Sequence, residues 1–155
     1  MVNIKLLSIV FIFILIFIGC NNNLTNDSRL NGKWIDEISG TYIMKFNNGV
    51  FETYDNGEPI FKGIYTANDG IYDAEITHFF GSRFCISFEL EPLLEKKWYP
   101  INELKNILLN NYNMTEKEIN EQFKFDQKSP PLKYSIVNNK LILSDGNGEG
   151  IYIKY

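Results

Sequence analysis

The sequence has little of what metal sites, acid–base catalysis and nucleic-acid binding need. Its 155 residues include one histidine and two cysteines, so a His/Cys metal cluster or a His-based catalytic dyad is not expected. Positive charge is also in deficit, with 15 basic against 19 acidic side chains. The net charge of −4 therefore predicts no nucleic-acid partner and no docking of a basic patch on anionic lipid.

Motifs for catalysis and cofactor binding are missing as well. The sequence has no glycine loop followed by Lys that would hold phosphate, no C-x-x-C and no Gly-x-Ser-x-Gly. The acidic loop at 145–149 has too few alternating oxygen ligands for calcium. We therefore expect no enzymatic activity, no metal and no cofactor.

One long apolar run is present, and it lies at the amino terminus. Leu6 to Ile18 is apolar except for Ser8, which suits the core of a signal peptide and is shorter than the roughly 20 residues that span a bilayer. Gly19 and Cys20 follow directly. A small residue before Cys at the end of an apolar run resembles the bacterial lipobox, which implies that Cys20 is acylated and becomes the first residue of the mature chain.

The expected location follows from this leader. The resemblance implies a protein of the bacterial cell envelope, held to the membrane by lipid on Cys20. Asn21, which is not Asp, indicates the outer membrane under the usual sorting pattern of bacteria with two membranes. The alternatives are a soluble secreted protein cut near Gly19 and an uncleaved anchor helix.

Three regions are predicted along the chain. Residues 1–19 form the signal peptide, residues 20–30 form a polar tether without strand or helix periodicity, and residues 31–155 form one domain. Once Cys20 is acylated, Cys85 has no partner. Its neighbours Phe84 and Ile86 indicate an inert packed thiol.

The domain reads as a series of short strands. Runs rich in Tyr, Phe, Ile and Thr recur about every ten residues, and Asn, Asp and Gly clusters that suit tight hairpins separate them. Because such turns join neighbours, we expect strands adjacent in sequence to be adjacent in the sheet. The predicted strands are Gly32–Ile38, Thr41–Asn47, Val50–Tyr54, Pro59–Thr66, Ile71–Phe79, Arg83–Leu90, Leu132–Val137, Lys140–Ser144 and Gly150–Tyr155.

One face of each strand is predicted to be buried, because apolar and polar residues alternate along it. Examples are Phe84, Ile86 and Phe88 in the sixth strand, and the alternate residues of the fifth strand, Tyr72, Ala74, Ile76 and His78. Closing the sheet removes its two exposed edges. The predicted fold class is therefore mainly β, an up-and-down antiparallel barrel of eight or nine strands, with an open sandwich as the alternative.

A helical insertion, at about 92–128, is predicted between strands six and seven. Apolar residues at helical spacing predict one short helix over Asn102–Asn111. A second helix begins at the capping box that starts at Thr115, with Met114 and Ile119 as a flanking hydrophobic pair. The prolines at 130 and 131 end the insertion.

The first strand carries a family resemblance. Gly32, Lys33 and Trp34 resemble the G-x-W element of lipocalins, in which the Trp closes one end of the barrel. The stretch 31–155 is similar to lipocalin-like lipoproteins of bacteria. The resemblance implies a membrane-tethered barrel that holds a small apolar ligand. Lipocalins usually place an Arg against that Trp, and Lys154 is the residue here that can take its place.

Two functions follow from this interpretation. The first is binding of a small apolar or amphipathic ligand in the barrel; the second is a structural or interaction role, in which a filled barrel engages another envelope protein through its surface or its helical insertion. The sequence does not identify such a protein partner. The predicted ligand-binding residues of the barrel interior are Trp34, Tyr42, Met44, Phe46, Phe61 and Tyr65.

Overall fold

A closed antiparallel barrel forms the body of the protein. The computed structural model describes residues 26–125 and 129–155. The strands are β1 (Gly32–Asp36), β2 (Tyr42–Asn47), β3 (Val50–Asp55), β4 (Glu58–Asn68), β5 (Ile71–Phe80), β6 (Trp98–Pro100), β7 (Leu132–Val137), β8 (Lys140–Ser144) and β9 (Glu149–Lys154), and the helices are α1 (Gly81–Ser87), α2 (Ile101–Asn111) and α3 (Glu116–Phe123).

Eight strands close the barrel in chain order. β1 pairs with both β2 and β9, and β4 pairs with β5, so the sheet returns on itself; β6 is an additional strand that pairs only with the end of β5. The predicted mainly β barrel is confirmed, including two helices between β6 and β7.

Asn and Gly residues make the hairpins possible. Asn48 and Gly49, which join β2 to β3, have φ of 47° and 90°. Asn138 and Asn139, between β7 and β8, also have positive φ. These values match the left-handed conformations that tight hairpins between twisted strands require. The predicted adjacency of sequential strands follows from these turns.

The sixth predicted strand, Arg83–Leu90, is wrong. The chain forms helix α1 there, and the short strand β6 lies further along at Trp98–Pro100. The alternation of Phe84, Ile86 and Phe88 suggested a strand, but Phe84 and Phe88 are also one helical turn apart, and their ring centroids lie 4.9 Å apart. The helical excursion therefore begins at residue 81 and not at 92.

A bulge in β5 corrects the predicted position of His78. The pairing of β4 with β5 shifts between Lys62 and Gly63, so Thr77 is an extra residue and His78 lies opposite Lys62. His78 therefore does not share the inner face of Ile76. Burial and the nearby Lys62 ammonium lower the pKa of His78, and Thr77 Oγ1 lies 2.9 Å from its Nδ1.

The helices surround a second core beside the barrel. The predicted capping box is confirmed: Thr115 Oγ1 accepts from the Glu118 amide at 3.3 Å, and Glu118 accepts from the Thr115 amide at 2.7 Å. The buried members of this second core are Phe84, Cys85, Tyr99, Leu104, Leu108 and Ile119. We call α1, α2 and α3 together the helical layer. Arg83 of α1 donates a hydrogen bond to Asp55 at 2.6 Å and thereby joins the helical layer to β3.

Residues 26–30, which belong to the predicted tether, pack against one end of the barrel. Asn26 Oδ1 accepts from the Ala67 amide at 2.8 Å, and the Asp27 amide donates to the Ala67 carbonyl at 2.9 Å. Tyr134 donates to Asp27 at 3.0 Å. Hydrogen bonds from Arg29 lower the pKa of Asp27 to about 2, so this carboxylate stays charged in neutral solution.

The signal peptide, Cys20 and Asn21 lie outside the described residues. Within the part of the chain that the structure describes, no helix is both long and apolar enough to cross a bilayer.

Candidate functional site

Trp34 closes the barrel at the end where the chain enters. Its side chain is 0% exposed, and its Nε1 donates to the Leu30 carbonyl at 2.6 Å. Leu30 is itself fully buried, so the residues before β1 complete this plug. The buried indole and Leu30 thus lie together where the chain enters the barrel.

Lys154 takes the place expected of the supporting cation. Its Nζ lies 5.2 Å from the centroid of the Trp34 ring, within the range of cation–π attraction. The same ammonium donates to the Arg29 carbonyl at 3.1 Å. One side chain therefore joins the last strand to the indole and to the entering chain.

Large side chains fill the barrel above this plug. The rings of Phe46, Tyr65 and Tyr72 contact one another with centroids 5.0 to 5.9 Å apart. Burial raises the pKa of Tyr42 to about 12 and also raises the pKa of Tyr72, so both phenols are neutral at physiological pH. The barrel interior next to Trp34 is therefore a packed core.

Open volume lies at the side of the barrel. β5 pairs with β7 only through Ile71 and Tyr72, and with β6 only through 78–80, so the stretch 74–77 lies between the two pairings. We define the seam as the edge of β5 at 74–77 together with the residues at the end of α3 that face it. A cavity of about 690 Å³ lies in this seam. It is lined by Ala74, Glu75, Ile76, Phe79, Ile101, Phe123, Lys124, Phe125, Ser129 and Pro130.

The cavity combines an aromatic wall with charged groups at its rim. Phe123 and Phe125 are stacked, with centroids 5.3 Å apart, and Phe79 lies 5.7 Å from Phe125. Glu75 and Lys124 are exposed, whereas the aromatic residues are half-buried. Lys124 ends α3 with φ of 50°, a left-handed turn that returns Phe125 to the aromatic group. Such a lining suits an amphipathic molecule with an apolar body and a polar head.

The six residues predicted to bind a ligand lie elsewhere. Four are buried in the barrel core, namely Trp34, Met44, Phe46 and Tyr65, and two are half-buried against it, namely Tyr42 and Phe61. Phe61 comes nearest to the seam, because its ring centroid lies 6.1 Å from that of Phe79. Whether any of the six contacts a ligand stays a prediction.

Sequence reasoning missed the residues of the seam. Neither Phe123 nor Phe125 is among the six residues predicted to bind a ligand. A signal was present in Phe125, an aromatic residue that lies just beyond α3 and that the amphipathic pattern of this helix does not include. The position of β5 opposite them depends on contacts between distant segments, which no local pattern reveals.

Comparison with known proteins gives two structural likenesses. No protein-family model matches the sequence, and no curated protein is significantly similar. An uncharacterized protein from Bacteroides eggerthii DSM 20697 is 17% identical with a TM-score of 0.48, over 81% of this chain and 99% of that one. A lipocalin-like protein from Bacteroides uniformis ATCC 8492 is 16% identical with a TM-score of 0.44, over 81% and 98%.

Proposed function

We propose that this chain is a lipid-anchored protein of the bacterial envelope that binds a small amphipathic molecule in the seam between β5 and the helical layer. The cavity of about 690 Å³ carries the ligand proposal, since binding sites for small molecules typically measure a few hundred to a thousand Å³. The function is binding and not catalysis.

The chemistry of the seam limits the class of ligand. Phe79, Phe123 and Phe125 offer apolar faces to a hydrocarbon chain or ring. At the rim, Lys124 can hold an anionic head group and Glu75 a cationic or hydroxyl group. Native mass spectrometry of the protein purified from its own host is expected to show such a molecule bound.

We predict that Ser129→Trp blocks the seam. Ser129 lines the cavity and is exposed, so an indole there fills the entrance without replacing a core residue. Titration with the amphipathic dye anilinonaphthalenesulfonate, followed by fluorescence, should show binding about tenfold weaker than in the unmodified chain.

Ser135→Trp is the matched control for this experiment. Ser135 is exposed on β7 and is not among the residues that line the cavity, so the same substitution there should leave dye binding unchanged. Equal dye affinity for Ser129→Trp and the unmodified chain would reject the seam as the binding site.

The amino-terminal leader supports the proposed lipid anchor. The sequence pattern Gly19-Cys20 ends an apolar run of signal-peptide length. Two or three acyl chains bury enough methylene groups to hold a protein firmly, at about 0.8 kcal/mol for each. Asn21, which is not Asp, favours the outer membrane as the proposed location.

We predict that Cys20→Ala abolishes acylation. Intact mass should lose the acyl chains, and the protein should leave the membrane as secreted chain or accumulate as unprocessed precursor. Cys85→Ala is the matched control, because Cys85 is buried beside Tyr112 and should not affect the lipid. Unchanged acyl mass on Cys20→Ala would refute the lipobox interpretation.

A further inference from the structure

A second cavity lies between α2 and α3, next to the seam. Its volume is about 360 Å³. Its lining includes the half-buried Leu109, the buried Ile119 and the exposed side chains of Asn102, Asn106 and Asn120. We define this cavity by these five residues and call it the interhelical groove. The groove therefore combines an apolar base with polar groups at its solvent edge.

The interhelical groove and the seam share the walls that the two helices form. At the start of α2, Ile101 lines the seam and the next residue, Asn102, lines the groove. In α3, Ile119 lines the groove, and Phe123, which lies about one helical turn further along, lines the seam. Because each helix contributes to both cavities within a single turn, a molecule bound in the seam can extend into the groove.

The carboxamides of the groove suit a ligand that is rich in hydroxyl groups. A carboxamide offers two N–H donors and an acceptor oxygen, and a hydroxyl likewise both donates and accepts. In the part of the chain that the structure describes, the side chains of Asn102, Asn106 and Asn120 make no hydrogen bond to the protein. The Asn110 side chain donates to the backbone oxygen of Asn106, at 2.8 Å, and not to its carboxamide. The three carboxamides are therefore available to a bound molecule.

The charges that line the groove balance each other. They are one ammonium, that of Lys105, and one carboxylate, that of Glu116. The Lys105 Nζ lies 5.9 Å from the ring centroid of Phe125, a residue of the seam, so this ammonium lies where the two cavities meet. A phosphate or carboxylate head group would gain one cation and be repelled by one carboxylate. An uncharged head group avoids this repulsion.

We propose, resting on the seam as the binding site, that the ligand is a glycolipid-like amphiphile. Its hydrocarbon part lies in the seam against Phe79, Phe123 and Phe125. Its uncharged sugar head lies in the interhelical groove, where hydroxyl groups bond to the carboxamides. The rim of the seam alone admits anionic, cationic and hydroxyl head groups, and the groove narrows this class to those rich in hydroxyls.

Three amphiphiles with alkyl chains of nearly equal length test the head group. Decyl maltoside carries a sugar, decylphosphocholine a zwitterion and decanoate an anion. Each is titrated below its critical micelle concentration into the full-length Cys20→Ala chain, which has no acyl group that could occupy the seam, and binding is followed by calorimetry. Decyl maltoside should bind about tenfold more tightly than the other two, because only its head group can bond to several carboxamides at once.

Paired substitutions on α2 locate the head group. Asn102→Ala with Asn106→Ala removes two carboxamides of the groove and should weaken the binding of decyl maltoside about tenfold, while that of decanoate stays unchanged. Asn110→Ala with Asn111→Ala is the matched control, because it makes the same change on the same helix outside the lining of the groove. Alanine favours a helix more than asparagine does, so both variants should keep α2. Far-ultraviolet circular dichroism checks this.

Two results would overturn the proposal. If decylphosphocholine or decanoate binds as tightly as decyl maltoside, the head group is a zwitterion or an anion held at the rim of the seam. If Asn102→Ala with Asn106→Ala leaves the affinity for decyl maltoside unaltered, the sugar does not lie in the groove.

Failure of the seam itself is recognised separately, through Ser129→Trp. Weaker binding of all three amphiphiles to this variant, without any preference for the sugar head in the unblocked chain, would retain the seam and reject the glycolipid-like ligand. Unchanged binding of all three, together with a loss of decyl maltoside affinity in Asn102→Ala with Asn106→Ala, would reject the seam and support the groove as a sugar site.

Discussion

Trp34→Ala is expected to lower the free energy of unfolding by about 3 to 5 kcal/mol. The indole is fully buried, and its removal leaves a void between Leu30 and the core. The substitution also removes the hydrogen bond to the Leu30 carbonyl and the ring beneath the Lys154 ammonium. Urea unfolding followed by far-ultraviolet circular dichroism measures the loss without depending on tryptophan fluorescence.

Trp98→Ala is the control for this prediction. Trp98 is half-buried on β6, against the ring of Phe80 and beneath the Lys62 ammonium. Its removal opens no void in the barrel, so we expect a cost of about 1 kcal/mol. A cost below about 1 kcal/mol for Trp34→Ala would contradict its role as the plug of the barrel.

Gly63→Ala is the second substitution with a large expected effect. A Cβ at this position would overlap the backbone oxygen of Glu75 and lie 2.7 Å from Cε1 of Phe51. The first clash is with backbone, so no rotamer relieves it, and β4 and β5 must separate beside the bulge. We expect a loss of about 3 kcal/mol in the same unfolding experiment.

Gly148→Ala provides the comparison for Gly63→Ala. No atom lies within 4 Å of a Cβ at Gly148, and its φ is not positive, so the stability should change by at most about 0.5 kcal/mol. Similar losses for the two variants would show that β4 and β5 tolerate a wider spacing at the bulge.

The strands were predictable because their signal is local. Alternation along β2 and the Asn-Gly turns at 48–49 and 56–57 specify hairpins through backbone preferences of a few adjacent residues. The helix start at Thr115 was predictable for the same reason, since its capping box spans four residues. The strand prediction for 83–90 was wrong because a short apolar run satisfies both strand and helix periodicity. Packing of Phe84 and Cys85 in the second core favours the helix.

The candidate site could not be predicted in the same way. Aromatic residues such as Phe46 and Tyr65 were chosen because inward positions of a barrel can line a cavity, yet their rings pack on each other. The seam instead arises where β5 changes partners from β7 to β6. Which strand edge remains unpaired depends on how the whole sheet closes, so it cannot be recognised from the sequence of a single strand.

The sequence by itself determined the hairpin order and the barrel class, because turn chemistry and alternation are encoded over a few neighbouring residues, whereas the place of Trp34 was implied only by a family resemblance. Only the tertiary structure decided where the open volume lies. Its position depends on contacts between segments that are far apart in the chain, such as those that carry Ala74 and Phe123. Local sequence patterns do not reveal such contacts, because only folding brings these segments together.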